Sequence, residues 1–158
     1  MSRQYDFRLA TLDDAAVIAE LVCALTQEIT AATGAELVEQ VKQTSELCEK
    51  LMAQGEYAAF LALAGQEVVA IATFTETYAL YAGGKMGVIQ ECYVRPEYRG
   101  TKIGAQLLTK VKLYGKQQAW ACIELCTPPL PAFSRTVEFY QQNGLVPVGG
   151  RKMREMLE

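Results

Sequence analysis

The sequence predicts an α/β (α+β) sandwich built on a mixed sheet. Three observations carry that reading. Apolar residues recur at helical spacing in some stretches and alternate in others. The strand-like stretches in the middle of the chain are joined by short glycine turns, as in hairpins, whereas the later ones are separated by helical stretches. With 158 residues and no repeat or linker, residues 1–158 are expected to form a single domain around one core.

Each element follows from its residues. "YDFRLA" alternates and reads as the first strand. In "TLDD", Thr11 is an N-cap with Asp14 three residues on, so a helix is expected to start there, with Ala15, Ile18, Leu21, Val22 and Leu25 on its apolar stripe. Thr33-Gly34 ends it. A second helix is expected through "ELVEQVKQTSELCEKLMAQ", with Leu37, Val41, Leu47 and Leu51 on one side. "EYAAFLALAGQEVVAIATFTETYAL" reads as a hairpin turning at Gly65-Gln66, and "AGGK" as a second turn. "MGVIQECYVRP" is a strand that stops at Pro96, which has no N–H for the ladder. The next helix carries Ile103, Leu107, Leu108, Val111 and Tyr114 on one stripe. "ACIELCT" is a strand, "PPLP" a stiff loop, and "SRTVEFYQQNG" a short helix stopped at Asn143-Gly144. "LVPV", a glycine turn and "RKMREML" are expected to close the chain as a last hairpin.

Composition narrows the chemistry. The chain has no histidine, which removes the Ser-His-Asp triad and the Cys-His dyad and leaves carboxylates, tyrosine, cysteine, lysine, backbone amides and water. A net charge of −3 argues against nucleic acid as a partner and suits a cationic small molecule. No run approaches the roughly 18 apolar residues of a membrane span, and "MSRQYDFRLA" has no apolar signal core, so the expectation is a cytoplasmic protein without a membrane partner. Five cysteines without a C-x-x-C pair are expected to be reduced and mostly core, with no metal site.

The most informative stretch is "YVRPEYRGTKIGAQLL", a strand that passes through Arg99 and Gly100 straight into a helix. A helix start exposes unpaired N–H groups and the positive end of its dipole, a setting that holds phosphate. On spacing alone, an ordinary strand-to-helix turn explains it equally well, and neither the dinucleotide fingerprint nor the P-loop pattern is present. However, "ECYVRPEYRGTKIGAQLL" resembles the central motif of the GCN5-related N-acetyltransferase (GNAT) superfamily, in which a strand ending in Val-x-Pro leads into Arg-x-x-Gly-x-Gly/Ala and a helix. Arg99 matches that arginine and Gly104 the second glycine. "TVEFYQQNGLVPVGG" is similar to the family's late helix, and the resemblance extends over nearly the whole chain.

The resemblance implies a mostly antiparallel sheet whose splayed strands form a coenzyme A cleft. It implies acetyl-CoA as cosubstrate, with the diphosphate on the amides of Arg99, Gly100, Thr101, Lys102, Ile103, Gly104 and Ala105. The pantetheine arm pairs with the strand at Cys92, Tyr93 and Val94, and the Val94 N–H faces the thioester oxygen. Tyr140 matches the tyrosine that protonates the leaving thiolate. Glu91 is the candidate base or amine anchor, although relatives often carry the acid one residue earlier, where this chain has Gln90. Lys102 stands where the family has glycine, and the expectation is ordinary right-handed geometry there, with the side chain reaching toward a phosphate. Cys92 and Cys126 suggest a covalent acetyl-cysteine, but with no base beside either, direct attack in a ternary complex is preferred. The acceptor implied is a primary amine, most simply a small molecule, with Tyr78 and Tyr81 as candidate pocket walls. A protein N-terminus or lysine, a non-catalytic acetyl-CoA-binding module and a dimerisation scaffold are the other readings. A homodimer through the last hairpin is a further expectation.

Overall fold

The computed structural model describes residues 4–33 and 41–157. Strand β1 (Asp6–Leu9) is followed by a short 3-10 turn and helix α1 (Ala15–Thr33), then helix α2 (Val41–Ala53). The expected helix start at residues 36–40, including Leu37, lies outside the described residues. Strands β2 (Ala58–Ala64), β3 (Glu67–Ala79) and β4 (Gly84–Val94) follow as two hairpins. Helix α3 (Ile103–Gln117), strand β5 (Ile123–Leu125) and helix α4 (Ser134–Gln142) complete the order.

The five strands lie in sequence order, antiparallel throughout except for the β4–β5 pair, which α3 connects as a parallel crossover. Helices cover both faces. Ile18, Leu21 and Val22 of α1 and Cys48 of α2 pack on Leu61, Ile71 and Tyr93. Leu107, Leu108 and Val111 of α3 and Tyr140 of α4 pack on Ala62, Ala72 and Phe74. Odd and even residues of one strand therefore serve different layers, as a sheet covered on both sides requires.

Two features of β4 shape the site. Thr73 pairs with Glu91 while its neighbour Phe74 pairs with Ile89, so Gln90 is the extra residue of a bulge. In addition, β5 pairs with β4 only over Gly87–Ile89, and the chain then turns away at Pro128-Pro129, two residues without an N–H to extend a ladder. Beyond Ile89 the two strands part.

The structure corrects four expectations. Val41 (45% exposed) and Leu47 (54%) point outward, and α2 buries Cys48 instead, because the packed stripe is rotated by a residue from the apolar one. The last hairpin does not form: residues 146–157 contain no strand, and Val146, Val148, Met153, Met156 and Leu157 are exposed. A three-residue β5 offers little ladder for that pair, and an isolated two-stranded hairpin is marginal in water. Leu12–Ala32 is long and apolar enough, by length and composition, to cross a membrane, contrary to the sequence reading. In the fold, its Ala15, Ile18, Leu21 and Val22 are committed to the core. Lys102 is the fourth, described with the site.

Candidate active site

A cleft of about 1310 Å³ opens where β4 and β5 part, and it reaches both faces of the sheet. Leu25, Glu28 and Ile29 of α1 line one side, and Phe139 and Tyr140 of α4 the other. The edge of β4 from Gln90 to Val94 runs between them, with no β5 partner. Arg95 N–H bonds to Val69 C=O of β3 at 2.9 Å. Since backbone groups alternate sides along a strand, the Cys92 and Val94 groups point the other way, into the cleft. The Val94 amide is thus a donor that faces the cleft.

The turn after β4 gathers backbone donors. Gly100 has φ +78° and Lys102 is left-handed at φ 67°, ψ 10°, so the expected right-handed geometry at Lys102 is not adopted. A left-handed residue entering a right-handed helix points successive amides into one concavity, an anion-binding nest. The first amide to bond back is that of Gln106, to Lys102 C=O at 3.1 Å, which leaves the Ile103, Gly104 and Ala105 amides toward the turn. Thr101 closes the turn by donating its hydroxyl to Tyr98 C=O at 2.5 Å. Gly104 has a packing reason as well: a Cβ there would stand 2.9 Å from Phe139 Cζ, so glycine lets α4 approach α3. Arg99 turns toward α1, donating to Val94 C=O (2.9 Å) and to both oxygens of Glu28 (3.0 and 2.8 Å). Its guanidinium lies 5.3 Å from the Tyr93 ring centroid.

The two candidate catalytic side chains fall on opposite faces of β4. Tyr140 is buried and hydrogen-bonded to the Cys92 thiol on the α3–α4 face. Burial drives the Tyr140 phenol well above its ordinary value and pushes the Cys92 thiol up to about 11. Both are protonated at neutral pH, so Cys92 is a poor nucleophile. Glu91 points to the α1–α2 face, where Tyr57 donates to both carboxylate oxygens (2.5 Å to Oε1) and Thr73 donates to Oε2 at 2.8 Å. Gln90, rather than Glu91, lines the cleft itself. Tyr78 and Tyr81 are 77% and 79% exposed and lie outside the cleft lining, Tyr81 being bonded to Glu124 at 3.0 Å. Among the described residues, no group of three or more His, Cys, Asp or Glu side chains is gathered to hold a metal ion.

Comparison with known proteins decides the family. Residues 24–145 match the profile of the Acetyltransferase (GNAT) family. The chain belongs to the GNAT family. Curated proteins include no match to the sequence. Among solved structures, this GNAT domain is similar to a ribosomal-protein-alanine N-acetyltransferase from Brucella melitensis biovar Abortus 2308 (TM-score 0.74, 19% identity, 97% of this chain and 100% of that one). It is similar to an aminoglycoside acetyltransferase from an uncultured soil metagenomic sample (TM-score 0.71, 15% identity, 98% and 95%). It also resembles a predicted acetyltransferase from Clostridium acetobutylicum solved with acetyl-CoA (TM-score 0.72, 19% identity, 98% and 95%). At these identities the likeness is one of fold.

GNAT acetyltransferases use acetyl-CoA, and the cleft suits such an anion. Among the described residues, five cationic side chains line it (Arg99, Lys102, Arg135, Lys152 and Arg154) against one carboxylate, Glu28, in a chain whose net charge is −3. Sequence reasoning missed Glu28, Arg135, Lys152 and Arg154, as it missed Tyr57 and Thr73 beside Glu91. The signal was faint: in a run read as a strand, Lys152 and Arg154, two apart, would share a face, but nothing in the run says which face meets the cleft.

Proposed function

We propose that this GNAT acetyltransferase moves the acetyl group of acetyl-CoA to a primary amine, most simply that of a small molecule, by direct attack in a ternary complex. The observation that carries the reading is the cationic cleft beside an unpaired strand edge, with a nest of amides at Lys102–Ala105. The nest and the cations suit a diphosphate; the Val94 amide suits a thioester oxygen, where a fixed donor is worth roughly 3 kcal/mol in the transition state.

The disposition of Glu91 and Tyr140 supports amine acetylation. A primary ammonium must lose a proton before it attacks, and the leaving thiolate must gain one. Glu91 stands on one face of β4 and Tyr140 on the other, so proton removal and proton delivery do not compete for one space. A phenol raised by burial is a weak acid, but the neighbouring Cys92 thiol is raised by the same surroundings to about 11. A coenzyme thiolate leaving into the same buried surroundings is made more basic as well, which favours its taking the Tyr140 proton.

The test joins titration calorimetry with acetyl-CoA and CoA to a thiol-release assay over a panel of small amines and peptides with a free N-terminus. Expected are CoA binding that weakens as salt rises and turnover on at least one amine. Tyr140→Phe should bind CoA normally and lose about 10²–10⁴-fold in kcat. Absence of binding at millimolar CoA overturns the reading; binding without turnover on any amine points to a non-catalytic acetyl-CoA module, and turnover confined to the peptides to a protein acceptor.

A further inference from the structure

A primary amine enters the cleft as an ammonium, because its ordinary pKa is near 10, and most of the charge it meets there repels it. Among the described residues that line the cleft, Lys102, Arg135, Lys152 and Arg154 are cationic and form no ion pair. Glu28 is the one acidic side chain in the same lining. It stands in α1 with Leu25 and Ile29, three residues before it and one after, so the three share a helical face. That wall is apolar with a carboxylate set in it. The unpaired cations come instead from the start of α3, from α4 and from the tail.

Arg99 pairs with Glu28 without sealing it. Its two Nη groups donate one to each carboxylate oxygen, at 3.0 and 2.8 Å. A carboxylate has about four acceptor positions, and the Glu28 side chain keeps 41% of its surface exposed in the cleft that it lines. An ion pair this exposed is screened and weak, so the carboxylate still attracts a second cation. Arg99 also donates from Nε to Val94 C=O at 2.9 Å, so a single guanidinium separates Glu28 from the β4 edge whose Val94 amide faces the cleft. From this arrangement we propose that Glu28 anchors the acceptor: its carboxylate takes the incoming ammonium, the apolar body of the same molecule lies on Leu25 and Ile29, and the substrate class is a primary amine carried on an alkyl or aryl body. The role rests on the acetyltransferase reading above, and it leaves the cations of α3, α4 and the tail to the phosphates of the coenzyme. Glu28 acts on binding, so its contribution is read in KM rather than in kcat.

The experiment titrates hexylamine, phenethylamine and the neutral counterpart 2-phenylethanol into wild type, Glu28→Gln and Arg99→Gln, with and without CoA, reading Kd by NMR. Thiol release from acetyl-CoA with the two amines gives kcat and KM for wild type and Glu28→Gln. Both substituted side chains are more than 40% exposed, so neither change opens the core. In Glu28→Gln the amines should bind about tenfold more weakly and KM should rise by a similar factor, while kcat, CoA affinity and the Kd of 2-phenylethanol hold. In Arg99→Gln the carboxylate loses its partner, and the amines should bind the CoA-free protein at least as tightly as they bind wild type. If Glu28 served only to tie Arg99 to α1, both variants would weaken amine binding alike and the alcohol would suffer with the amines. That pattern overturns the proposal, as does an amine affinity that Glu28→Gln leaves unchanged or a wild type that binds neither amine. Loss of CoA binding in the wild type would instead sink the acetyltransferase reading, and the amine titrations of the CoA-free protein would still decide whether Glu28 takes an ammonium.

Discussion

Lys102 is a residue in a glycine's conformation. Its φ of 67° sets the Cβ against the following carbonyl, a cost of about 1–2 kcal/mol for a residue other than glycine. The strain lies in the turn whose amides form the anion nest, where such strain is commonly found. Replacing Lys102 with glycine should relieve it, raising stability by about 1 kcal/mol and the melting temperature by a few degrees, whereas Lys102→Ala, which keeps a Cβ, should not. A scanning calorimetry comparison of the two variants checks this; equal melting temperatures would show that the turn carries no strain. The sequence alone put a lysine where the motif it resembles has glycine, and steric preference argued for a right-handed lysine. Tertiary context overrode that preference, because the chain must reverse between Gly100 and the start of α3.

At the scale of elements, glycine and aromatic residues fit together in ways that spacing does not reveal. Trp120, after α3, lies over Gly115 of that helix and Gly87 of β4; a Cβ at either glycine would stand 2.4 or 2.2 Å from the indole. The ring also meets Phe74 and Tyr114 edge-on, and its Nε1–H donates to Glu76 at 2.6 Å. Gly115→Ala adds a good helix former in a helix, and propensity by itself favours the change by up to about 1 kcal/mol. Overpacking a tight contact costs about 1–3 kcal/mol, and here it wins: Gly115→Ala should destabilise, measured as a lower urea midpoint. Trp120→Leu in the Gly115→Ala background should restore part of the loss. Helix α2 teaches the same lesson from the other side. Its apolar residues mark one stripe, but the sheet receives Cys48 from the adjacent one, because what α2 buries depends on how α1 and the sheet meet it.

Across the whole molecule, charge is distributed unevenly, and that shapes both stability and ligand choice. The cleft is cationic although the chain is net acidic. At the opposite side, Arg8 of β1 forms a two-pronged pair with Asp14 (2.7 and 2.9 Å), and the Thr11 N–H donates to the same carboxylate at 2.7 Å, tying the first strand to the start of α1. The Arg8 bond, together with Thr11, holds Asp14 below its ordinary 3.8. A depressed folded-state pKa contributes stability that is present above about pH 4 and lost as pH falls through the folded value. Because Arg8 is 45% exposed, solvent screens the ion pair, and the cap carries most of the effect. Asp14→Asn should cost about 1–2 kcal/mol at pH 7, and the gap to wild type should narrow below about pH 3. Urea unfolding at the two pH values checks it; a gap independent of pH would mean that the charge of Asp14 contributes nothing.

Periodicity and turn residues were enough to write β1 through α4 in order, and two short motifs were enough to locate the strand-turn-helix of the cleft and the helix bearing Tyr140. These are local signals, carried by neighbours in the chain. The tertiary structure alone decided how Glu91 is held, since the hydroxyls of Tyr57 and Thr73 come from positions 34 and 18 residues away. It also decided that Arg99 meets Glu28 of α1, 71 residues distant, and that the tail stays unpaired for want of a longer β5. Local sequence specifies which hydrogen bonds a segment can make with itself; which partners come from afar depends on register, bulges and strand length, and those are settled only when the sheet assembles.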